Sequence, residues 1–391
     1  MSDMHYILCV NSGSSSIKYA LYRMGHEDET LLAQGAAERI GLEDGRSWIR
    51  SGRNPAATER RFDIADHRAA VTAVFEQLRD LRLGEPTAVG HRVVHGGPSH
   101  LQPARIDSAL IADIRKIVGY APLHLPAQLD GIDAVAARYP GLPQVACFDT
   151  AFHGFMPELA KRFPLPQKYW EEGLQRYGFH GLSYEYVMDS LRPPSDHRIV
   201  IAHLGNGSSL AAVHNGKPVD TTMGFTPAGG FMMGTRSGDL DPGILLYLLN
   251  EKGYTGQQLE DLVNRQSGLL GVSGSTQDMQ TLLSRRETDS SASLAVDLFC
   301  YHVRKHVGSM AAVLGGLDAL VFTGGIGENA APVRSAICAG MRHLGIILDA
   351  GRNAIHADPI SANESPCAIR LIRTNEDAVI ARQTHRLLRR N

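Results

Sequence analysis

Two arginines stand in glycine-bounded segments. Arg92 lies within Gly90-His91-Arg92-Val93-Val94-His95-Gly96-Gly97, beside β-branched residues that read as buried. Arg236 lies within Gly234-Thr235-Arg236-Ser237-Gly238-Asp239-Leu240-Asp241-Pro242, a polar loop. An arginine so close to a core needs a partner, and either could be a structural ion pair. As a pair they offer the planar fork that fits carboxylate and phosphoryl oxygens. Asp149 follows the strand-like run Gln144 to Phe148, at the sheet end where α/β sites gather, and would either cap the next turn or serve the reactants. His180, in Tyr177-Gly178-Phe179-His180-Gly181, either satisfies a loop or donates to a transferring phosphoryl group. Thr374-Asn375-Glu376-Asp377 reads as a helix cap with acidic residues facing the dipole; the functional alternative makes Glu376 a magnesium-site residue.

Two small polar turns add backbone donors. Asn11, Ser14, Ser15 and Ser16, with Lys18, can surround phosphate oxygens, as can Gly205-Asn206-Gly207-Ser208-Ser209. Each turn alone is equally well explained by turn geometry. The pattern GxxxxGK[ST] is absent, which disfavours a P-loop nucleotidase. Arginines, backbone donors and a metal ion together suit the approach of one anion to another, as when a carboxylate attacks a phosphate. A carboxylate nucleophile is already ionised at neutral pH, so no strong general base is needed.

The elements that must position these groups come from a weak internal repeat. Tyr6 to Val10, a small polar turn and Ile17 to Tyr22 are matched by Ile199 to Leu204, a small polar turn and Leu210 to Val213. Both read as β-hairpins, because the second limb is rich in β-formers and turn residues recur at Arg23 to Asp28 and His214 to Lys217. Asp66 is a candidate N-cap for a helix carrying Val71, Val74, Phe75 and Leu78. Thr87 to Val94 and Gln144 to Phe148 read as buried strands, and Leu129, Ile132, Val135 and Ala136 as a helix ended by Pro140-Gly141. In the second half a long helix from Ala292 to Leu314 precedes a strand from Leu317 to Phe322. The alternation implies mainly parallel sheets with helical crossovers. The expected domains are 1–150 and 151–377. The residue pattern leaves open which of them the tail helix joins; helix 378–391 is assigned to the first.

At 391 residues the chain exceeds what one core usually organises, so two domains are expected. A hydrophobic fraction of 43% and a charged fraction of 20% place it among ordinary soluble globular proteins. The formal net charge of −2, with scattered basic residues, points away from nucleic acid and membrane surfaces and toward a small-molecule partner. No leader-like segment and no apolar run of bilayer length is read, so a cytoplasmic location is expected. Cys9, Cys147, Cys300, Cys338 and Cys367 form no CxxC pair and read as core residues. His91/His95 and His302/His306 have metal-like spacing, but the first pair lies in a strand pattern and the second lacks a clear third ligand, so zinc is disfavoured.

Taken in order, VNSGSSSIK, GHRVVHGG, APLH, FDTAFH, YGFHG, HLGNGSS, MGTRSGDLDP, FTGGIGEN and TNED resemble the acetate kinase family from residue 10 to residue 377. The resemblance implies an α/β fold of duplicated ribonuclease H-like domains, of the sugar kinase, Hsp70 and actin superfold, around a central cleft, and a homodimer. It implies reversible phosphoryl transfer from ATP to acetate with magnesium, or manganese in its place. The alternatives are a propionate or other short-chain carboxylate kinase, or a non-catalytic ATP-binding protein of the same superfold. By motif, Ser14, Ser16 and Lys18 line the phosphate region, with Asn11 and Glu376 near the metal. Arg92 and Arg236 hold substrate and stabilise the transferring group, His180 assists, and Asp149 positions metal and reactants. Val94, Leu123, Phe179 and Pro227 form the acyl pocket. His203, Leu204, Gly205, Asn206, Gly207 and Asp278 hold the nucleotide, with Gly324, Gly325, Ile326, Gly327, Glu328 and Asn329. Leu125-Pro126 and Gln128, Leu182 and Tyr184, and Gln280 depart from the family pattern, which bears on acyl-chain and nucleotide preference.

Overall fold

The computed structural model describes residues 4–26, 28–52 and 54–389. Residues 1–3, Glu27 of the expected turn, and positions 390 and 391 of the expected tail helix lie outside them. The chain forms two compact units, one running to Phe152 and resumed from Asn375, the other spanning His153–Thr374.

In the first unit, strands β1 (His5–Ser12), β2 (Ser16–Met24), β3 (Glu29–Glu38), β4 (Arg46–Ser51) and β5 (Asn54–Arg61) form an antiparallel meander. Beyond β1 lie β6 (Ala88–Val93) and β8 (Gln144–Phe148), both parallel to it, and the two-residue β7 (Ala104–Arg105). The sheet order is β5-β4-β3-β2-β1-β6-β8-β7. The expectation of mainly parallel sheets is corrected here: residues 29–61 add three antiparallel strands joined by short turns. One face packs Leu8, Val10 and Ile17 against Val71, Val74, Phe75 and Leu78 of helix His67–Asp80 and Ala134 and Val135 of helix Leu125–Arg138. Asp66 caps the first of these helices, accepting from the Ala69 N–H at 2.8 Å, a contact contributing about 1 kcal/mol.

The opposite face is covered by helix Glu376–Arg389. Strand pleating sends alternate residues to one face, so Cys9 and its β6 partner Gly90 share it with Cys147, which lies two residues beyond Val145, the β8 partner of Gly90. These residues are small, and the helix lies close on them. A Cβ at position 90 would lie 2.4 Å from Thr384 Oγ1 and 2.5 Å from Ile380 Cγ2, so only glycine admits the helix at this distance.

The second unit repeats the central pattern. Strands β9 (Arg198–Leu204), β10 (Ser208–His214) and β11 (Lys217–Thr221) form the meander, with β12 (Ala319–Thr323) and β13 (Ala368–Leu371) parallel beyond β9. The order β11-β10-β9-β12-β13 matches β3-β2-β1-β6-β8 of the first unit. Val200, Ala202 and Leu204 pack on helix Ser290–Leu314 through Val296, Phe299 and Val303. The sequence expectation of a hairpin in each half is met at both places, and the long helix begins two residues before its expected start.

Gly90→Ala is expected to destabilise the fold by about 1–3 kcal/mol through overpacking. Thr384→Ala in the same chain should recover part of the loss. Thermal unfolding of the two variants checks this; an unchanged midpoint for Gly90→Ala would disprove close docking of the terminal helix.

Candidate functional site

The residues that follow Cys9, Gly90 and Cys147 on the same face are Asn11, Arg92 and Asp149. The first two stand at the carboxyl ends of adjacent parallel strands, and Asp149 extends the third through its N–H to Val93 O at 3.0 Å. This is the sheet end at which α/β folds place ligands. Arg92 Nε donates to Asp149 Oδ1 and Oδ2 at 3.2 and 3.1 Å, and its Nη2 donates to Oδ2 at 2.8 Å. Its Nη1 meets Glu376 Oε2 at 2.9 Å. Asp149 therefore spends its carboxylate on Arg92 rather than on capping a turn, and Arg92 is the ion pair its buried setting requires.

Burial alone would lower the Arg92 pKa, but Asp149 and Glu376 outweigh it and hold the guanidinium charged. Burial raises Asp149 to about 6, and Glu376 adds to the rise against the pull of Arg92. Asp377 is likewise raised to about 6, first by burial and then by Glu376, with Arg92 and Lys18 opposing. The sequence reading passed over Asp377, although it belongs to the same Thr374–Asp377 segment. Asn375 is the N-cap proper, its Oδ1 accepting from the Ala378 N–H at 3.1 Å. Glu376 and Asp377 thus sit in the first helical turn, where the dipole favours negative charge.

Ser14 and Lys18 are exposed and Asn11 and Ser16 half-buried around the β1–β2 turn, closed by Gly13 N–H to Ser16 O at 2.7 Å. Two carboxylates against one guanidinium leave a net negative charge beside the Asn11 amide. This oxygen-rich set fits a hard divalent cation that keeps several waters. Among the described residues no three His, Cys, Asp or Glu side chains cluster as a metal site, so any such ion would be shared with a ligand. Val94 is buried and Leu123 half-buried in this unit; Phe179 is buried and Pro227 half-buried in the other. Gln128 Oε1 accepts from the Val94 N–H at 3.0 Å, and Leu125 is fully buried. His91 bonds Gln144 Oε1 at 2.7 Å and is lowered to about 4 by burial, a core histidine rather than a ligand.

In the second unit His180 precedes helix Gly181–Leu191 in the left-handed conformation, φ 59°, a strained position for a non-glycine residue. Its Nδ1 lies 2.9 Å from Ser209 Oγ, and its ring stacks on His203 with centroids 4.2 Å apart. His203 Nδ1 lies 2.8 Å from Ser183 Oγ of the same helix. Arg236 Nη1 donates to Pro227 O at 3.2 Å, and burial lowers its pKa. A Cβ at position 207 would lie 3.3 Å from His180 Nε2 and 3.4 Å from Arg236 Nη1. Both nitrogens therefore converge on the backbone of the second glycine turn.

That turn borders a cavity of about 620 Å³ lined by Gly205, Asn206, Asp278, Gly325, Ile326 and Asn329, within the size range of small-molecule sites. Gln280 lines it too. Asp278 caps helix Met279–Arg285, accepting from the Thr281 N–H at 2.8 Å. Leu204, Gly324, Gly327 and Glu328 are not among the residues that line the cavity. Leu204 is core, and Gly324, at φ +76°, lies against the Leu204 backbone where a Cβ would come within 2.8 Å. Glu328 Oε1 accepts from the Gly324 N–H at 3.0 Å and the Thr374 N–H at 3.1 Å, tying the loop to the chain beyond β13. Arg334, fully buried, donates Nη1 to Gly327 O at 2.8 Å and Nε to Asn353 Oδ1 at 2.7 Å. The sequence reading missed this brace; a lone arginine in the apolar helix Ala331–Cys338 was its signal.

The sequence matches the model of the Acetokinase family over residues 6–382. It is 43% identical to an acetate kinase of Streptomyces avermitilis, covering 98% of this chain and 97% of that one. It is 44% identical to a propionate kinase of Citrobacter rodentium, with the same coverage. The crystal structure of Porphyromonas gingivalis acetate kinase superposes with a TM-score of 0.89 at 38% identity, covering 98% of this chain and 100% of that chain. The chain belongs to the acetokinase family.

Proposed function

We propose that this protein is an acetate kinase, which transfers the terminal phosphoryl group of ATP to acetate, reversibly and in line, giving acetyl phosphate and ADP. The observation that carries the reading is the convergence of His180 Nε2 and Arg236 Nη1 on Gly207, at the edge of a nucleotide-sized cavity bounded by Gly205 and Asn206. Donors and a cation beside such a cavity suit the charge of a transferring phosphoryl group.

Arg236 and His180 would meet that group, and Arg92, oriented by Asp149 and Glu376, would hold the carboxylate. Ser14, Ser16 and Lys18 would line the phosphate region. Val94, Leu123, Phe179 and Pro227 would contact the acyl chain. Leu125 lies in the core, and Gln128 ties down Val94 through its N–H, so the Gln128 departure from the family pattern supports the position of Val94. Asn11 and Glu376 would hold magnesium, or manganese, whose charge offsets that of the phosphates. Asp149 would help orient it. The cavity would take the nucleoside, with Gly205, Asn206, Gly207, Asp278, Gly325, Ile326 and Asn329 around it, Leu204, Gly324, Gly327 and Glu328 fixing the backbone, and His203 buttressing His180.

Five free, buried cysteines fit a reducing cytoplasm, and no helix among the described residues is long and apolar enough to cross a membrane. A homodimer is supported by helix Pro242–Asn250, which buries none of its residues and exposes Ile244, Leu246, Tyr247 and Leu249. A contiguous apolar face of this kind is ordinarily covered.

Three outcomes are expected. In a hydroxamate assay with ATP and magnesium across formate, acetate, propionate and butyrate, product should peak at acetate. Arg92→Ala and Arg236→Ala should each lower kcat by on the order of 100-fold or more with the fold intact; near-normal turnover in both would sink the mechanism. Second, protonation of Asp149 as pH falls through about 6 should loosen Arg92 and give kcat an acid limb near that pH. A raised carboxyl pKa means the folded chain binds protons more readily than the unfolded one, so Asp149 and Asp377 make folding less favourable as pH rises through the window up to about 6. These two groups therefore cannot unfold the protein there, and kcat should fall while the thermal midpoint holds. A kcat flat to one unit below 6 contradicts the assignment. Third, Leu246→Arg should convert a dimer to a monomer in sedimentation; a wild-type monomer refutes the proposed assembly.

A further inference from the structure

We propose that Tyr184, acting through the Ser209 hydroxyl, fixes His180 in the tautomer that carries its proton on Nε2, and so makes His180 a hydrogen-bond donor toward the phosphoryl group. This rests on the role given to His180 above. Tyr184 is a positioning residue here, since its hydroxyl reaches the reaction only through two other side chains.

Three polar atoms form a line inside the second unit. Tyr184 OH lies 2.5 Å from Ser209 Oγ, and Ser209 Oγ lies 2.9 Å from His180 Nδ1. Tyr184 and Ser209 are both fully buried. Helix Gly181–Leu191 brings this about. His180 is its N-cap, so residue 184 lies one turn on, along the same side of the helix. Pairing of Ser209 with His203 across β9 and β10 presents the serine beneath that turn.

A hydroxyl has one proton to give, so the direction of the chain is a matter of acidity. A phenol is a stronger acid than an alcohol and the better donor, while the alcohol oxygen is the better acceptor. Burial also raises the Tyr184 pKa far beyond its ordinary value, so the phenol keeps its proton. With Tyr184 donating to Ser209 Oγ, the serine proton is free to point at His180 Nδ1, which must then accept. A neutral imidazole accepting at one nitrogen carries its proton on the other. That other nitrogen, Nε2, is the one facing Gly207 beside Arg236 Nη1. Reversing the chain would place a lone pair, rather than a proton, against an incoming anion.

The relay is tested by nitrogen-15 spectroscopy of protein labelled at histidine, with the His180 signals identified by their loss in His180→Gln. In a neutral imidazole the protonated and bare nitrogens resonate far apart, so the tautomer is read without reference to turnover. Wild-type protein should show His180 protonated at Nε2, and Tyr184→Phe should move the population toward Nδ1. Tyr184→Phe and Ser209→Ala should each lower kcat on the order of 10- to 100-fold, the scale of losing a group that orients a functional histidine, with KM for ATP little changed. The double variant should be no worse than Ser209→Ala alone, because both break one chain. An Nδ1–H tautomer in wild type, an unchanged His180 pattern in Tyr184→Phe, or additive losses in the double variant would each overturn the proposal. Full activity in His180→Ala would instead remove the functional role of His180, and the spectra would still decide the relay.

Discussion

Arg92 can occupy the end of β6 only because two carboxylates meet it there. Its side chain is 17% exposed and that of Asp149 only 2%; leaving either charge alone in such a place costs about 3–5 kcal/mol. The architecture of the first unit follows from that constraint. Asp149 must stand at the end of the adjacent parallel strand, and Glu376 must enter from above, which requires a helix to begin over β6. The helix can approach because Cys9, Gly90 and Cys147 leave its side of the sheet nearly without side chains. Two of the five cysteines are thereby accounted for as small residues, with the Cys9 thiol donating to Asp377 O at 3.1 Å.

The second unit meets a different demand by main-chain means. A glycine turn that borders a cavity presents bare backbone to it, and bare backbone has to be held from behind. Ser208 Oγ exchanges hydrogen bonds with Gly205 N–H and O at 3.1 and 2.9 Å, and Asn206 O accepts from Gly234 N–H at 3.0 Å. Across the cavity Glu328 and Arg334 do the same for the loop after β12. Charged side chains placed behind a loop fix it without entering the cavity in front of it.

The sequence carried the hairpins, the strand Gln144 to Phe148 and the Asp66 cap plainly, because alternation and capping are local signals. Strands β3 to β5 were not legible: residues 29–61 mix charged and small residues, and their strand state depends on pairing with β2. Arg92, Asp149 and Glu376 were individually suspected, but their union was not. Pairing of β6 with β8 and a return of the chain after more than 200 residues create it, and neither leaves a mark in local composition. The setting of the Glu328 side chain was out of reach for the same reason, since motif position says where the backbone runs and not which way a carboxylate turns.

The two units share a strand order and also a habit. In each, a helix covers the face of β1 or its counterpart β9, and the polar residues meet at that helix's first turn. In one the turn carries carboxylates, in keeping with the helix dipole; in the other it carries a histidine in a left-handed conformation. A helix start is the place in an α/β unit where side chains can be aimed along the sheet end without breaking the ladder beneath. The two helices reach that place by different routes, one following β13 and the other preceding β9, so what the units share is the sheet end they serve rather than the order in which the chain supplies the helix.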